Sequence, residues 1–324
     1  MDKDPGKKIV IPGEDDGPDD RWEILDRAMR ANQPQFIDFK GQPGFSDRMI
    51  EECKIELAEK IRRDNEKNRN NPRAQDAAAN DPYSKYSEPL IAYIFNDERM
   101  LRTRKTFSFL ASEYDDKING TDIIVGVENK KAPDSNPIIC AIDASTGTNY
   151  KNVMNKFTEN SKWHRSTPPW CSYAKFCRLS SYCWSDPEAL HFTLGIMPSS
   201  MDKALDKIEF KDGVIMGRDA DSDTDFMLLS EMREQIVLQK FIISRATHND
   251  YASGQLERLN SLLPAVNTRL RQICGVNKVD ESERDAYFKR EYEKRKQKSR
   301  YDTVYKNITD ACRSYKAVTI AIKE

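Results

Sequence analysis

The 324-residue chain carries 52 Lys and Arg against 53 Asp and Glu, for a formal charge of -1; 38% of it is hydrophobic and 32% charged. That balance excludes a chain-wide basic field, so any cationic surface for nucleic acid must be local and offset by acidic segments elsewhere. The length suits one large domain or one domain with helical additions, and no apolar run approaches the roughly 20 residues that span a bilayer. The first residues, Met-Asp-Lys-Asp-Pro-Gly-Lys-Lys, lead into no apolar segment or cleavage pattern, so they are not read as a secretory signal. Seven cysteines, an odd number scattered along the chain, argue against a disulfide framework. The expected setting is a reducing cytoplasm.

Residues 1–20 are rich in Asp, Gly, Pro and Lys and are expected to form a disordered tail. An N-terminal helical region with a linker follows over 21–88. It opens with a short amphipathic helix bearing Trp22, Ile24, Leu25 and Met29. After a Pro/Gly-rich break, Ser46 caps a longer helix to about Asn65, with Met49, Ile50, Cys53, Ile55, Leu57 and Ile61 at roughly helical spacing. Residues 65–89 read as a loose linker.

An α/β core is expected over 89–246, a small mixed sheet flanked by helices. The period predicts a helix from Leu90 to about Lys117, stopped at Asn119-Gly120, where the backbone can turn left-handed. Residues 121–130 form a β-branched strand, 131–136 a turn around Pro133, and 137–144 a second strand. Because that strand is apolar on both faces, it belongs in the middle of a covered sheet. A helix over Tyr150–Phe157, an irregular stretch at 160–187, a strand at 191–197 and a helix over Met201–Ile208 come next. The acidic loop Asp219–Asp225 precedes a helix over Phe226–Ser244 with Leu229, Met232, Ile236 and Ile243 on one stripe. A C-terminal helical extension over 247–324 holds a Leu-rich helix with Pro264 as a kink, then a highly charged helical tail.

Three carboxylates sit at the joints of this core: Glu113 near the helix end, Asp122 at the start of the first strand and Asp143 at the end of the second. Strands paired about Pro133 place Asp122 beside Asp143. Two carboxylates brought together repel unless a proton or cation lies between them. Asp, Asp and Glu oxygens suit Mg²⁺ or Mn²⁺, so Asp122, Asp143 and Glu113 are the candidate metal ligands.

The arrangement resembles the PD-(D/E)XK nuclease superfamily, whose core runs helix, three-stranded antiparallel sheet, helix, strand. The likeness rests on Glu113, on Gly120-Thr121-Asp122 opening a strand, and on Ala141-Ile142-Asp143-Ala144-Ser145 closing the next; Leu-Leu-Ser-Glu-Met-Arg-Glu-Gln at 228–235 is also similar to bacterial members. The resemblance implies a restriction-endonuclease-like core with long helical extensions, and a Mg²⁺- or Mn²⁺-dependent hydrolase of phosphodiester bonds in DNA, less so RNA. The catalytic set it implies is Glu113, Asp122, Asp143 and a lysine. The family lysine two residues past the second carboxylate is replaced by Ser145, and Lys151 is its expected substitute, with Lys156 as second choice. The alternative is a catalytically inactive nuclease-like fold acting as a nucleic-acid-binding or protein-assembly module.

Three further signals bear on partners. Lys289 to Arg300 holds seven basic and two acidic residues, and Lys289, Arg290, Lys294, Arg295, Lys296, Lys298 and Arg300 are the candidate phosphate-backbone contacts. The helical extensions could also join copies of the chain. Cys171, Cys177 and Cys183, six residues apart, lack the close pairs of zinc sites and read as a buried Cys/Trp cluster. The loop Asp219–Asp225 resembles an EF-hand start but has Thr224 where Gly is required, so it reads as a helix cap.

Overall fold

The computed structural model describes residues 20–69, 83–129, 136–146, 174–179, 182–186, 189–219, 222–244, 250–275, most of 286–294, and 303–321. Three helices come first: α1 (Asp20–Arg30), α2 (Asp47–Arg69) and α3 (Ser84–Phe95). Strand β1 (Arg104–Leu110) then leads through a π-helical turn (Asp115–Asn119) into β2 (Ile123–Asn129) and β3 (Ile138–Ser145). A two-stranded hairpin, β4 (Ala174–Leu179) and β5 (Tyr182–Asp186), precedes β6 (Leu190–Gly195). Helix α4 (Pro198–Leu205), a second hairpin of β7 (Ile208–Lys211) and β8 (Val214–Arg218), and helices α5 (Ser222–Ile243), α6 (Asp250–Ile273) and α7 (Thr303–Ala321) complete the order.

The result is a mixed α/β fold around one four-stranded sheet of order β1-β2-β3-β6. Strands β1, β2 and β3 form an antiparallel meander, and β6 returns parallel to β3. Thus β3 is internal, as its unbroken apolar run requires. Alternation then sorts the side chains. Leu110, Ile123, Val125, Val127, Cys140, Ile142, Leu190, Phe192 and Leu194 join the main core with Trp22, Leu90, Ile91, Phe226, Leu229 and Leu259 from four helices. On the other face Phe107, Phe109, Ile124, Ile139 and Ala141 pack against Ala174, Cys177 and Trp184 of the β4–β5 hairpin. One face is therefore covered by helices and the other in part by strands, where the sequence pattern suggested only irregular chain.

The predicted helix from Leu90 to Lys117 is three elements. Helix α3 ends at Phe95, β1 follows, and a π-helical turn closes at Gly120. Apolar residues in this region can be threaded on a helical period, but Thr106-Phe107-Ser108-Phe109 alternates as a strand and pairs with β2 from Arg104↔Asn129 to Leu110↔Ile123. The stop at Gly120 is where expected, with φ of 67°.

The outer edge of β6 is closed by side chains rather than by another strand. Gly195 N donates to Glu231 Oε2 at 2.9 Å. The Gln235 amide accepts from Thr193 N at 2.8 Å and donates to Thr193 O at 2.6 Å, and Gln239 Nε2 donates to His191 O at 2.6 Å. Four residues of α-helix advance about 6.0 Å and two residues of strand about 6.6 Å. Polar residues at every fourth position of α5 therefore keep step with every second residue of β6. This ladder satisfies an edge that would otherwise invite pairing with another chain.

The acidic loop before α5 is tied down by charge. Asp225, fully buried, accepts from Arg218 Nη1 at 2.9 Å and from Arg269 Nη2 at 3.2 Å, while Arg218 Nε also reaches Asp97 at 3.1 Å. The loop's last aspartate thus joins β8, α6 and the end of α3 instead of coordinating a cation.

Candidate active site at the end of the sheet

The site is built where β1 leaves the sheet and β2 enters it. Pairing of Ile123 with Ile142, carried one residue further, sets Asp122 across from Asp143. Asp122 lies just before β2 and is fixed there by its own backbone. Its N–H donates to Ile142 O at 2.9 Å and its C=O accepts from Ala111 N at 2.8 Å. The carboxylate continues the ladder by accepting from Ala144 N at 2.7 Å. Asp143, in β3, is partly exposed. The two residues that the turn arithmetic places together are together.

Two further carboxylates converge on them. Glu88 is carried by α3, which packs against β1, β2 and β3, and Asp116 by the π-helical turn. Burial pushes the Asp122 carboxyl far above the usual carboxylate range, and the charges of Asp143, Glu88 and Asp116 push it further against the single Ala144 hydrogen bond. Glu88 is raised to about 7 by burial and then by Asp116, with Arg30 and Lys117 opposing and Asp26 adding to the rise. The cations are engaged elsewhere too: Lys117 Nζ holds Asp116 at 2.9 Å and Arg30 Nε holds Asp26 at 2.8 Å. Burial tends to lower the Lys117 ammonium, but its bond to Asp116 and the charges of Asp116, Glu88 and Asp122 leave it raised overall.

Among the charges acting most strongly on Asp122 and Glu88, four carboxylates, Asp143, Glu88, Asp116 and Asp26, stand against two cations, Arg30 and Lys117. Such an excess in a partly buried place is relieved by protons or by a bound cation. Oxygen ligands of this kind fit Mg²⁺ or Mn²⁺ chemically. Among the described residues, no group of three or more His, Cys, Asp or Glu side chains is placed so that it could hold a metal ion.

Glu113 is not part of this group. It is exposed, on the helical turn leading into Asp115, and the neighbouring Asp115 is consumed structurally. Asp115 is fully buried and accepts from Ser112, Asn119 and the backbone N–H groups of Lys175 and Phe176, pinning β4 to the π-helical turn. From α3, Glu88 acts on Asp122 through its charge. Its signal was present: Tyr86, Leu90, Ile91 and Ile94 recur at helical spacing across Pro89, which the sequence reading took as a boundary.

Lys151 and Lys156 lie outside the described residues, as do Cys171, Lys289, Arg295, Lys296, Lys298 and Arg300. Arg290 and Lys294 are exposed, and Lys294 Nζ pairs with Glu291 at 2.7 Å. Described residues flank the basic stretch: Phe288 is buried under the Arg233 guanidinium, 4.9 Å from the ring centre. Val304, where α7 begins, lies against Gly195, leaving no room for a Cβ there. Because Gly195 pairs with Ser145, that contact stands at the Asp122–Asp143 end of the sheet. Cys177 and Cys183 are buried on β4 and β5 but in different clusters: Cys177 lies opposite Trp184 and packs with Phe109 and Ala141, whereas Cys183 packs with Phe39, Phe45 and Phe176.

No helix among the described residues is long and apolar enough to cross a membrane. Comparison with models of known protein families, with curated proteins and with solved structures finds no match.

Proposed function

We propose that the chain is a Mg²⁺- or Mn²⁺-dependent phosphodiester hydrolase, a nuclease acting on DNA in preference to RNA, built on a PD-(D/E)XK-like core. One observation carries the reading: Asp122 and Asp143 face each other at a sheet end where the charges of Glu88 and Asp116 also act on Asp122, with Lys117 offsetting Asp116. The order of α3, β1, β2, β3 and the parallel β6 supports it, because it follows the helix, antiparallel triplet and later strand that the resemblance implies. Glu88, on the helix before the triplet, takes the place expected of Glu113.

Asp122 and Asp143 would hold the cation and Glu88 would complete its charge balance. The bound cation supplies Lewis-acid polarisation of a phosphodiester and a more acidic water. Glu88, with its carboxyl at about 7, releases its proton as positive charge arrives, so uptake of the cation is coupled to proton loss. Arg290 and Lys294, with the remaining basic positions of 289–300, would lie along the phosphate backbone.

A second reading, a non-catalytic binding or assembly module, is favoured by Ser145 at the family lysine position and by the structural use of Asp122 to hold Ala144 N. Cleavage of plasmid and oligonucleotides with Mg²⁺ or Mn²⁺, wild type against Asp143→Ala, separates the two. The nuclease reading expects cleavage that the substitution abolishes. Cleavage that survives it, or none on a broad substrate panel, sinks the assignment.

A further inference from the structure

The hydroxyl of Thr193 is fully buried and has no hydrogen-bond partner among the described residues. Two hydroxyls of β1 are served: Thr106 Oγ1 donates to Asp97 O and Ser108 Oγ to Ala92 O. A β-branched side chain suits this strand position, but Val would give the same shape without a stranded polar atom. The hydroxyl itself therefore needs an explanation.

Register supplies one. Thr193 is the β6 partner of Asp143 in the parallel β3–β6 ladder, so both side chains leave the sheet on the same face. The backbone of Thr193 is clamped at both polar groups by the Gln235 amide. The strand is thus held with Thr193 at the position paired with Asp143, and its own peptide groups are already engaged. Carboxylates that ligate metal ions are in turn hydrogen-bonded by neighbours that fix their orientation, and a threonine hydroxyl has one proton to donate.

We propose that Thr193 is a positioning residue of the carboxylate site: when a divalent cation draws the Asp143 carboxylate into place, the Thr193 hydroxyl donates to its outer oxygen and holds that orientation. The role rests on the cation-binding reading of Asp122 and Asp143. Gln235 supports it one step further out, by fixing the strand.

The test is Mn²⁺ titration at pH 8, followed by electron paramagnetic resonance, on wild type, Thr193→Val and Thr193→Ser, with melting temperatures measured without metal. Thr193→Val is expected to weaken Mn²⁺ binding roughly tenfold while its metal-free melting temperature holds or rises, and Thr193→Ser is expected to keep near-wild-type affinity. Wild-type affinity in Thr193→Val overturns the role. So does a loss of affinity matched by a fall in melting temperature, which would assign the hydroxyl to packing. If wild type itself takes up no Mn²⁺, the cation-binding reading fails first and this role falls with it.

Discussion

Replacing Glu88 by Gln removes one charge from the cluster and keeps its shape, and the structure sets the sign and size of the effect. The Glu88 carboxyl moves from its usual 4.5 to about 7 on folding, first through burial and then through Asp116. At about 1.4 kcal/mol for each tenfold change in the proton equilibrium, that displacement corresponds to about 3 kcal/mol, and partial solvent access brings the expected effect to about 1–3 kcal/mol. Below pH 4.5 the carboxyl is protonated in both states and Glu88 costs the fold nothing. Between 4.5 and 7 the unfolded chain ionises while the folded one holds its proton, so stability falls as pH rises; above 7 the penalty is complete. Glu88→Gln should therefore be more stable than wild type by the full amount at pH 8 and by little at pH 4.5. Urea unfolding without divalent cations at pH 8, 6.5 and 4.5 measures this directly from the midpoints. Equal midpoints at pH 8, or a difference independent of pH, would refute the electrostatic account of the cluster.

Three other outcomes follow from the same structure. Mg²⁺ or Mn²⁺ at about 100 times its dissociation constant should add roughly 2.7 kcal/mol to wild-type stability. The thermal shift should be larger at pH 8 than at pH 5.5, where a proton occupies Glu88; equal shifts at both pH values would contradict proton–cation competition. Gln235→Leu strips both backbone partners from Thr193, each loss costing about 1–3 kcal/mol. Denaturant unfolding should show that drop, and light scattering should show increased self-association through the bared β6 edge. Asp225→Ala leaves Arg218 and Arg269 buried without their carboxylate, and should lower stability by about 3–5 kcal/mol in the same unfolding assay, with little dependence on added metal.

What could be read from the sequence was what local pattern determines. The β2–β3 hairpin follows from β-branched runs flanking a turn, and its register follows from the turn centre alone, which is why Asp122 and Asp143 could be paired in advance. Helix α5 and the left-handed Gly120 were equally local. Strand β1 was hidden because a short apolar run fits either period, and Glu88 because Pro89 reads as the end of a linker rather than as an interior helix residue. The β4–β5 hairpin carries no periodic signal. It is held from a distance by Asp115 and by Phe176, whose ring sits among Phe36, Phe39, Phe45 and Tyr114. The edge ladder was hidden differently: Glu231, Gln235 and Gln239 have visible spacing, yet polar residues four apart usually mark a solvated face, and only the position of β6 reveals what they serve.

The choice between a structural and a functional reading of the carboxylates turns on Asp122. Its bond to Ala144 N would account for a capping residue, but Asn could accept the same bond without a charge. A carboxylate is the costlier solution under burial, and Asp143, Glu88 and Asp116 each make it costlier still. Three independent elements, α3, the π-helical turn and β3, thus bring like charge to one strand end, against the stability of the fold. A purely architectural joint gains nothing from that convergence. A place that attracts a doubly charged cation would gain in proportion to it, and the cost in the cation's absence is what the proposed cation site predicts.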